Sequence, residues 1–142
     1  MKKYVLAIDQ GTTSSRVVLV DRFGDVKHIE QMTIGQSFPF DGAVLQNAEE
    51  IYDSVVLLID RMFKRHDVDP KDIIAMGITN QRETTILFDK TTGKSLYHAI
   101  SWQSRQTEEI TNKWIKKGYD DIVLRKTGLK INPYFSASKI RY

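Results

Sequence analysis

The chain of 142 residues contains no cysteine, which excludes disulfide bonds and metal sites built on thiolates. No apolar stretch approaches the roughly 20 residues that a membrane-spanning helix needs. The first apolar run, Tyr4 to Ile8, is too short for the hydrophobic core of a signal peptide, and no small-residue cleavage site follows it. These absences predict a cytoplasmic protein without a membrane span.

Two common nucleotide-binding signatures are also missing. The sequence holds neither G-x-x-x-x-G-K nor G-x-G-x-x-G, so it has no Walker loop and no dinucleotide-binding turn of the usual kind. The net charge of +3 is too small to argue for a nucleic acid partner. Apolar residues make up 41% and charged residues 27%, as in ordinary globular domains, and the length suffices for one domain with a core.

The charge is unevenly distributed along the chain. Residues 111–142 carry eight basic and two acidic residues, whereas residues 1–110 carry thirteen basic and sixteen acidic residues. Such a basic tail can attract RNA or anionic lipid. We favour the alternative of a solvated helix face and a surface that other protein covers, because apolar residues recur in the tail at core-like spacing.

A polar turn between two apolar runs dominates the N-terminal part of the sequence. It reads D-Q-G-T-T-S-S-R at residues 9–16 and is called the phosphate turn below. Gly11 allows the backbone to approach a ligand closely, and hydroxyls and an arginine can donate to phosphate oxygens. Asp9 lies at a strand end, where a carboxylate can hold Mg²⁺ directly or through water. The alternative is an ordinary hairpin with a polar tip.

A second polar stretch follows an apolar strand, Ile73 to Thr79. Ligands collect outside the carboxyl ends of parallel strands, so this stretch and the phosphate turn are expected to face one cleft. Arg82 can donate to hydroxyl oxygens, and Glu83 can accept from hydroxyl hydrogens, which together suits a polyol. The alternative is a solvated turn with an incidental charge pair.

The pattern predicts an α/β protein with a mixed sheet. Three antiparallel strands are followed by a loop, a helix, a parallel strand, a hairpin and two shorter helices. Asn47 is expected to cap the first helix, with Glu50 completing a capping box. The predicted bounds are strands 4–9, 16–21 and 26–34, a loop over 35–46, a helix over 48–65, a buried strand over 73–79, hairpin strands 84–89 and 95–102, and helices 104–117 and 120–126.

The phosphate turn resembles the D-x-G-T-T-S loop of the superfamily that includes sugar kinases, Hsp70 and actin. The longer D-Q-G-T-T-S-S-R, together with G-I-T-N-Q-R-E-T-T at residues 77–85, is similar to the FGGY carbohydrate kinase family, and within it to the members that phosphorylate glycerol. Segments 99–103 and 127–136 agree with that family in the same order. The resemblance implies a ribonuclease H-like fold.

The resemblance also implies roles for particular residues. Nucleotide phosphates of ATP would contact Thr12, Thr13, Ser14 and Arg16, and Asp9 would serve the Mg²⁺ ion. Glycerol would lie among Arg82, Glu83, Trp102 and Tyr134. A general-base aspartate is expected later in the family's chain than anything here, so no catalytic residue is assigned within residues 1–142.

The family comparison predicts an incomplete protein. Family members have two ribonuclease H-like domains, so residues 1–142 are expected to be the N-terminal part of the first domain. The partners implied are glycerol, ATP and the remainder of a kinase chain, and an incomplete core favours self-association into a homo-oligomer.

The sequence departs from the family at residues 42–48, which read G-A-V-L-Q-N-A where G-W-V-E-H-D-P is usual. Contacts or regulation through that loop are therefore in doubt. A truncated, non-catalytic nucleotide- or polyol-binding domain remains the alternative function. An Hsp70- or actin-like ATPase is disfavoured, because such a protein has no use for the Arg82–Glu83 pair.

Overall fold

The computed structural model describes residues 3–142. Met1 and Lys2 lie outside the described residues. They are the start of the segment for which the sequence predicts that there is no signal peptide. The chain forms two compact units: the first comprises the segment up to Gly35 and Asn47–Gln81, and the second comprises Gln36–Gln46 and Arg82–Tyr142. Within residues 3–142, no helix has the length and apolar character that crossing a bilayer demands.

The first unit is a four-stranded sheet with one helix. The elements are β1 Tyr4–Gln10, β2 Ser14–Asp21, β3 Val26–Thr33, α1 Ala48–Arg65 and β5 Ile73–Asn80. Strands β1, β2 and β3 form an antiparallel meander, and β5 pairs with β1 in parallel, giving the order β3-β2-β1-β5. This is the predicted arrangement of these five elements, with bounds within two residues of the prediction.

Helix α1 begins and packs as its sequence indicates. The side chain of Asn47 accepts hydrogen bonds from the amides of Glu49 and Glu50, which caps the helix. The predicted capping box is replaced, because the carboxylate of Glu50 accepts from the Gly35 amide 2.9 Å away. Apolar residues at helical spacing meet alternate residues of β1 and β2 in one core: Leu6, Ile8, Val17, Leu19, Leu58, Met62 and Val68.

Strand β5 differs from the prediction in its burial. It was expected to be buried, but Ile74, Met76 and Ile78 are 56%, 53% and 72% exposed. Helix α1 packs mainly across β2 and β3, and β5 is an edge strand of the sheet. The continuous apolar run therefore predicted the strand and its parallel pairing correctly, but the predicted burial of its side chains was wrong.

The second unit is built on short strand pairings. Strand β4 (Leu45–Gln46) pairs with β6 (Ala99–Ile100), so the predicted loop over 35–46 ends in a short strand. The predicted hairpin is present in reduced form, as antiparallel bridges between Thr85 and Ile100 and between Phe88 and Ser95. At its tip the carboxylate of Asp89 accepts from the amides of Thr91 and Thr92, which closes the predicted turn.

Three helices complete this unit: α2 Glu108–Lys116, α3 Asp120–Thr127 and α4 Ser136–Arg141. Helix α2 starts four residues later than predicted, because residues 101–107 form turns held by the Ser104 hydroxyl, which donates to the Gly42 carbonyl. Helices α2 and α3 end near Gly118 and Gly128, which have φ of +78° and +75°, as predicted from the two glycines. Helix α4 was not predicted.

Candidate functional site

The phosphate turn is a tight connection between β1 and β2. The Gly11 amide donates to the Ser14 carbonyl at 2.9 Å, and the Ile34 amide donates to the Thr13 carbonyl at 3.0 Å. A Cβ on residue 11 would come within 3.1 Å of that Ser14 oxygen. The turn therefore depends on glycine for close backbone packing, as the sequence predicted.

Asp9 and Arg16 face each other across the two strands, in register. A nitrogen of the Arg16 guanidinium lies 3.1 Å from Oδ2 of Asp9, and the two side chains are 39% and 44% exposed. Arg16 also donates to Gln31 on β3, whose amide donates to the hydroxyl of Ser14. The structure thus brings three predicted residues, Asp9, Ser14 and Arg16, into one half-exposed polar network.

The fourth hydroxyl of the turn behaves differently. Ser15 is fully buried, and its hydroxyl lies 2.6 Å from that of Ser54 on α1. Because residues alternate between the two faces of β2, Ser15 points to the core and Arg16 to the opposite face. Thr12 and Thr13 lie in the bend that precedes β2.

The end of β5 lies beside the end of β1 in the same sheet. Asp9 is the register neighbour of Thr79, and the Gln81 side-chain amide donates to Oε1 of Gln10 at 3.3 Å. The segment of the chain that leaves β5 therefore starts at the same sheet edge as the phosphate turn. Arg82 and Glu83 follow in sequence and belong to the second unit.

In the second unit, Glu83 occupies a constrained position. Its φ is +66°, a left-handed conformation that costs roughly 1 kcal/mol or more for a residue other than glycine. Its carboxylate accepts from the hydroxyl of Ser136 at 3.2 Å, and its carbonyl accepts from the hydroxyl of Thr85 at 3.3 Å. The side chain is thereby held in one place, half-buried against the start of α4.

Trp102 and Tyr134 meet edge to face in the same region, with ring centroids 5.8 Å apart and an interplanar angle of 71°. The Trp102 amide donates to the hydroxyl of Thr84, the residue after Glu83. Tyr134 lies two residues before Ser136, the partner of Glu83. These contacts connect Glu83, Trp102 and Tyr134 in one cluster, called the polyol cluster below.

Arg82 is exposed, and among residues 3–142, which the structure describes, no hydrogen bond or ion pair joins its side chain to the polyol cluster. Sequence reasoning missed three supporting residues: Gln31, Ser136 and Lys139. Gln31 could have been found from the meander, since it is the register partner of Arg16. No local signal marks Lys139, whose contacts are described below.

The two groups of residues, one in each unit, offer different chemistry to a ligand. The phosphate turn offers backbone amides, hydroxyls and a guanidinium beside a carboxylate, which suits a phosphate with its metal ion. In the described part of the chain, no cluster of three or more histidines and carboxylates exists that could hold a metal unaided. The polyol cluster offers a fixed carboxylate acceptor beside two aromatic rings.

Comparison with known proteins gives one consistent result. The sequence profile of the N-terminal domain of the FGGY family of carbohydrate kinases matches residues 4–142. A glycerol kinase of Bacillus cereus (strain AH187) is 49% identical over all 142 residues, which is 29% of that protein. The chain thus spans less than a third of the length of the curated relatives it matches.

Solved structures agree on the fold. A glycerol kinase of Plasmodium falciparum, crystallised with ADP, superposes with a TM-score of 0.90 over 98% of this chain and 28% of that chain, at 32% identity. A gluconate kinase of Lactobacillus acidophilus gives a TM-score of 0.88 over 99% of this chain at 23% identity, which supports the fold alone. The expected ribonuclease H-like, mixed α/β architecture is confirmed. The chain belongs to the FGGY family of carbohydrate kinases, since residues 4–142 of the chain match the N-terminal domain of that family.

Proposed function

We propose that the natural protein containing this chain transfers the γ-phosphoryl group of ATP to a terminal hydroxyl of glycerol, yielding glycerol 3-phosphate and ADP. Residues 1–142 form the N-terminal part of the first domain of a two-domain kinase, and the second domain lies outside this chain. The observation that carries the proposal is the convergence of Glu83, Trp102 and Tyr134 in one cluster. The 49% identity to a glycerol kinase supports glycerol as the polyol.

In the proposed pocket, Arg82 donates to hydroxyl oxygens of glycerol and Glu83 accepts from hydroxyl hydrogens. The ring of Trp102 covers the carbon side of the molecule, and the phenol of Tyr134 meets a hydroxyl. The hydrogen bond from Ser136 to Glu83 keeps the carboxylate oriented before substrate arrives, which lowers the entropy cost of binding.

For the nucleotide, Thr12, Thr13, Ser14 and Arg16 donate to phosphate oxygens, and Asp9 serves Mg²⁺. Arg16 engages one carboxylate oxygen of Asp9, and both side chains are exposed enough to exchange partners when a charged ligand arrives. One carboxylate completed by water and phosphate oxygens is a usual environment for Mg²⁺. When bound, the ion neutralises the charge on the transferring phosphoryl group.

The proposal assigns no general base to this chain, so the isolated 142 residues should show no measurable kinase activity. The test compares the full natural protein with the isolated chain by glycerol-dependent release of ADP from Mg-ATP, with gluconate and xylulose as alternative acceptors. With Mg-ATP present, we expect the full protein to release ADP with glycerol as the acceptor but not with gluconate or xylulose. Preference of the full protein for a sugar acid or a ketose would contradict the substrate, and glycerol kinase turnover by the isolated chain would contradict the missing base.

One observation favours a second candidate, a non-catalytic binding domain. The loop over residues 42–48 lacks the family's usual side chains, and here Leu45 and Gln46 are buried within the second unit. Calorimetry with Mg-ATP and with glycerol separates the candidates. Nucleotide binding by the full protein without any response to glycerol, and without ADP release, would favour the binding domain.

A further inference from the structure

Lys139 on α4 is an unusual lysine, since it is only 4% exposed. Lysine is rarely buried, because removing the ammonium group from water is costly. Burial lowers the pKa of Lys139 to about 8, and the carboxylate of Glu83 acts in the opposite direction. A neutral apolar side chain would avoid this cost, so the ammonium group is expected to have a use.

The contacts of the ammonium group indicate that use. Its Nζ donates to the carbonyl of Pro133 at 2.9 Å and also to the carbonyl of Tyr134. Both carbonyls belong to the turn that precedes α4 and carries the Tyr134 ring to Trp102. The same turn is held at its other side by the Tyr134 amide, which donates to Asn132. Lys139 therefore fixes the backbone at one member of the polyol cluster, and the charge of another member, Glu83, acts on its ammonium group.

We propose that Lys139 is the positioning residue of the polyol cluster, holding the backbone of Tyr134 against Trp102 and presenting a positive charge towards Glu83. This inference rests on the proposed function and deepens it. Lys139 does not touch the substrate in this scheme. It sets the width and charge of the pocket through Tyr134 and Glu83.

Other titratable groups around Lys139 have to be considered in any pH experiment. Lys139 also lines a cavity of about 470 Å³ together with Tyr97, His98 and Tyr142. Glu83 and the phenol of Tyr134 complete the set. All of these groups are retained in Lys139→Arg, so a comparison of that variant with wild type isolates the charge of Lys139.

The first test substitutes Lys139→Met, Lys139→Arg and, as a matched control, the exposed Lys126→Met on α3, all in the full natural protein. We expect Lys139→Met to raise the KM for glycerol at least about tenfold, because a misplaced pocket wall weakens substrate binding. The KM for ATP should stay within about twofold in the same variant, since the phosphate turn belongs to another unit. Lys139→Arg should restore most of the glycerol affinity, and Lys126→Met should behave as wild type.

The second test does not depend on Lys139→Met. In the wild-type protein, the KM for glycerol should rise about threefold between pH 7 and pH 9, as the ammonium of Lys139 loses its charge. In Lys139→Arg the KM should stay flat over that range, because a guanidinium does not titrate there. Should Lys139→Met fail to fold, as circular dichroism would show, this pH comparison decides alone.

The outcomes separate the inference from the proposed function. Glycerol turnover with equal KM values in wild type and Lys139→Met, or equal pH dependence in wild type and Lys139→Arg, overturns the positioning role alone. A fall in kcat together with similar rises in the KM for glycerol and the KM for ATP in Lys139→Met would indicate a general structural role. That result would also overturn the positioning role. Absence of any polyol binding by the wild-type protein overturns the proposed function, and the inference with it.

Discussion

Gly11 is the residue on which the geometry of the phosphate turn depends most directly. A Cβ there would lie 3.1 Å from the backbone carbonyl of Ser14, and a backbone atom cannot move aside as a flexible side chain can. We predict that Gly11→Ala lowers the affinity of the full protein for Mg-ATP about tenfold and destabilises the first unit by roughly 1 kcal/mol. Calorimetry with Mg-ATP and urea unfolding measure the two effects.

Gly77 provides the matched control for that substitution. It lies in β5 of the same unit, and no heavy atom is within 4 Å of where its Cβ would be. Gly77→Ala should leave nucleotide affinity unchanged and stabilise the chain slightly, because alanine loses less backbone entropy on folding. Equal effects of the two substitutions would show that the turn does not need its glycine.

Substitution of Asp9 distinguishes an effect on activity from an effect on stability. Its pair with Arg16 is half exposed, and such surface pairs contribute about 0 to 1 kcal/mol. We predict that Asp9→Asn lowers phosphoryl transfer by the full protein about 100-fold or more, because the carboxylate proposed to hold Mg²⁺ is lost. Unfolding in urea should change by less than about 1 kcal/mol.

The control for Asp9→Asn is Asp25→Asn. Asp25 forms an exposed ion pair with Lys27, 3.5 Å away, in the same unit, but it lies outside the phosphate turn. Wild-type turnover in Asp25→Asn together with the loss in Asp9→Asn would support the assigned role. Undiminished turnover in Asp9→Asn would remove Asp9 from the magnesium site.

At the scale of elements, the junction of β3 with the end of α1 contains a pH-sensitive pair. The rings of His28 and His66 stack with centroids 3.9 Å apart, and Nε2 of His66 lies 3.1 Å from Oε1 of the buried Glu30. Burial, and secondarily the charge of His66, lowers the pKa of His28 below its ordinary 6.5. The folded state therefore holds fewer protons at this site than the unfolded state near and below pH 6.5.

It follows that this contribution to stability is present above pH 6.5 and is lost as the pH falls through the lowered pKa. We predict that His28→Phe, which keeps a stacked ring but cannot titrate, reduces the acid-induced fall in melting temperature between pH 7.5 and 5.5 by about 2 °C. Thermal melts of the full protein at both pH values measure it. The exposed His98→Gln, in the second unit, serves as control, and an equal effect of both substitutions would contradict the stacked-pair argument.

At the scale of the whole molecule, the apolar edge strand β5 determines how the isolated chain behaves. Exposed backbone groups and apolar side chains on an edge strand are a template for pairing with another copy. We predict that the isolated 142-residue chain self-associates and that Ile78→Lys lowers its weight-average mass in sedimentation experiments. Ile140→Lys is matched in exposure, since Ile78 and Ile140 are 72% and 75% exposed, but Ile140 lies on α4.

Self-association through β5 requires the two substitutions to differ. If Ile140→Lys lowers the mass as much as Ile78→Lys, general apolar exposure rather than the sheet edge causes the association. A monomeric wild-type chain would contradict the prediction altogether.

Much of the first unit could be predicted from local sequence. Apolar runs on either side of the phosphate turn predicted two antiparallel strands joined by that turn. Asn47 and the apolar residues at helical spacing predicted the bounds of α1 correctly. The parallel return of β5 followed from its position after a helix. These features depend on neighbouring residues, so a local pattern suffices to predict them.

The second unit was harder to predict for a physical reason. Helix α4 is short and has no capping hydrogen bond from its N-cap side chain, so its formation depends on contacts with distant residues. One such contact is the 2.8 Å approach of the Ser138 hydroxyl to that of Thr107, which lies 31 residues earlier in the chain. The predicted hairpin strands are reduced to isolated bridges, and the Trp102 amide donates to the hydroxyl of Thr84, a side-chain contact that local sequence does not predict.

The sequence by itself determined the phosphate turn, the order of the elements around it and the membership of the family, because all three are encoded in contiguous motifs. Only the tertiary structure decided that Ser15 faces the core, that Asp9 pairs with Arg16, and that a buried lysine lies behind Tyr134. Those facts depend on which face of a strand a residue occupies and on contacts between segments far apart in the chain. Burial and charge pairing arise only when such segments meet.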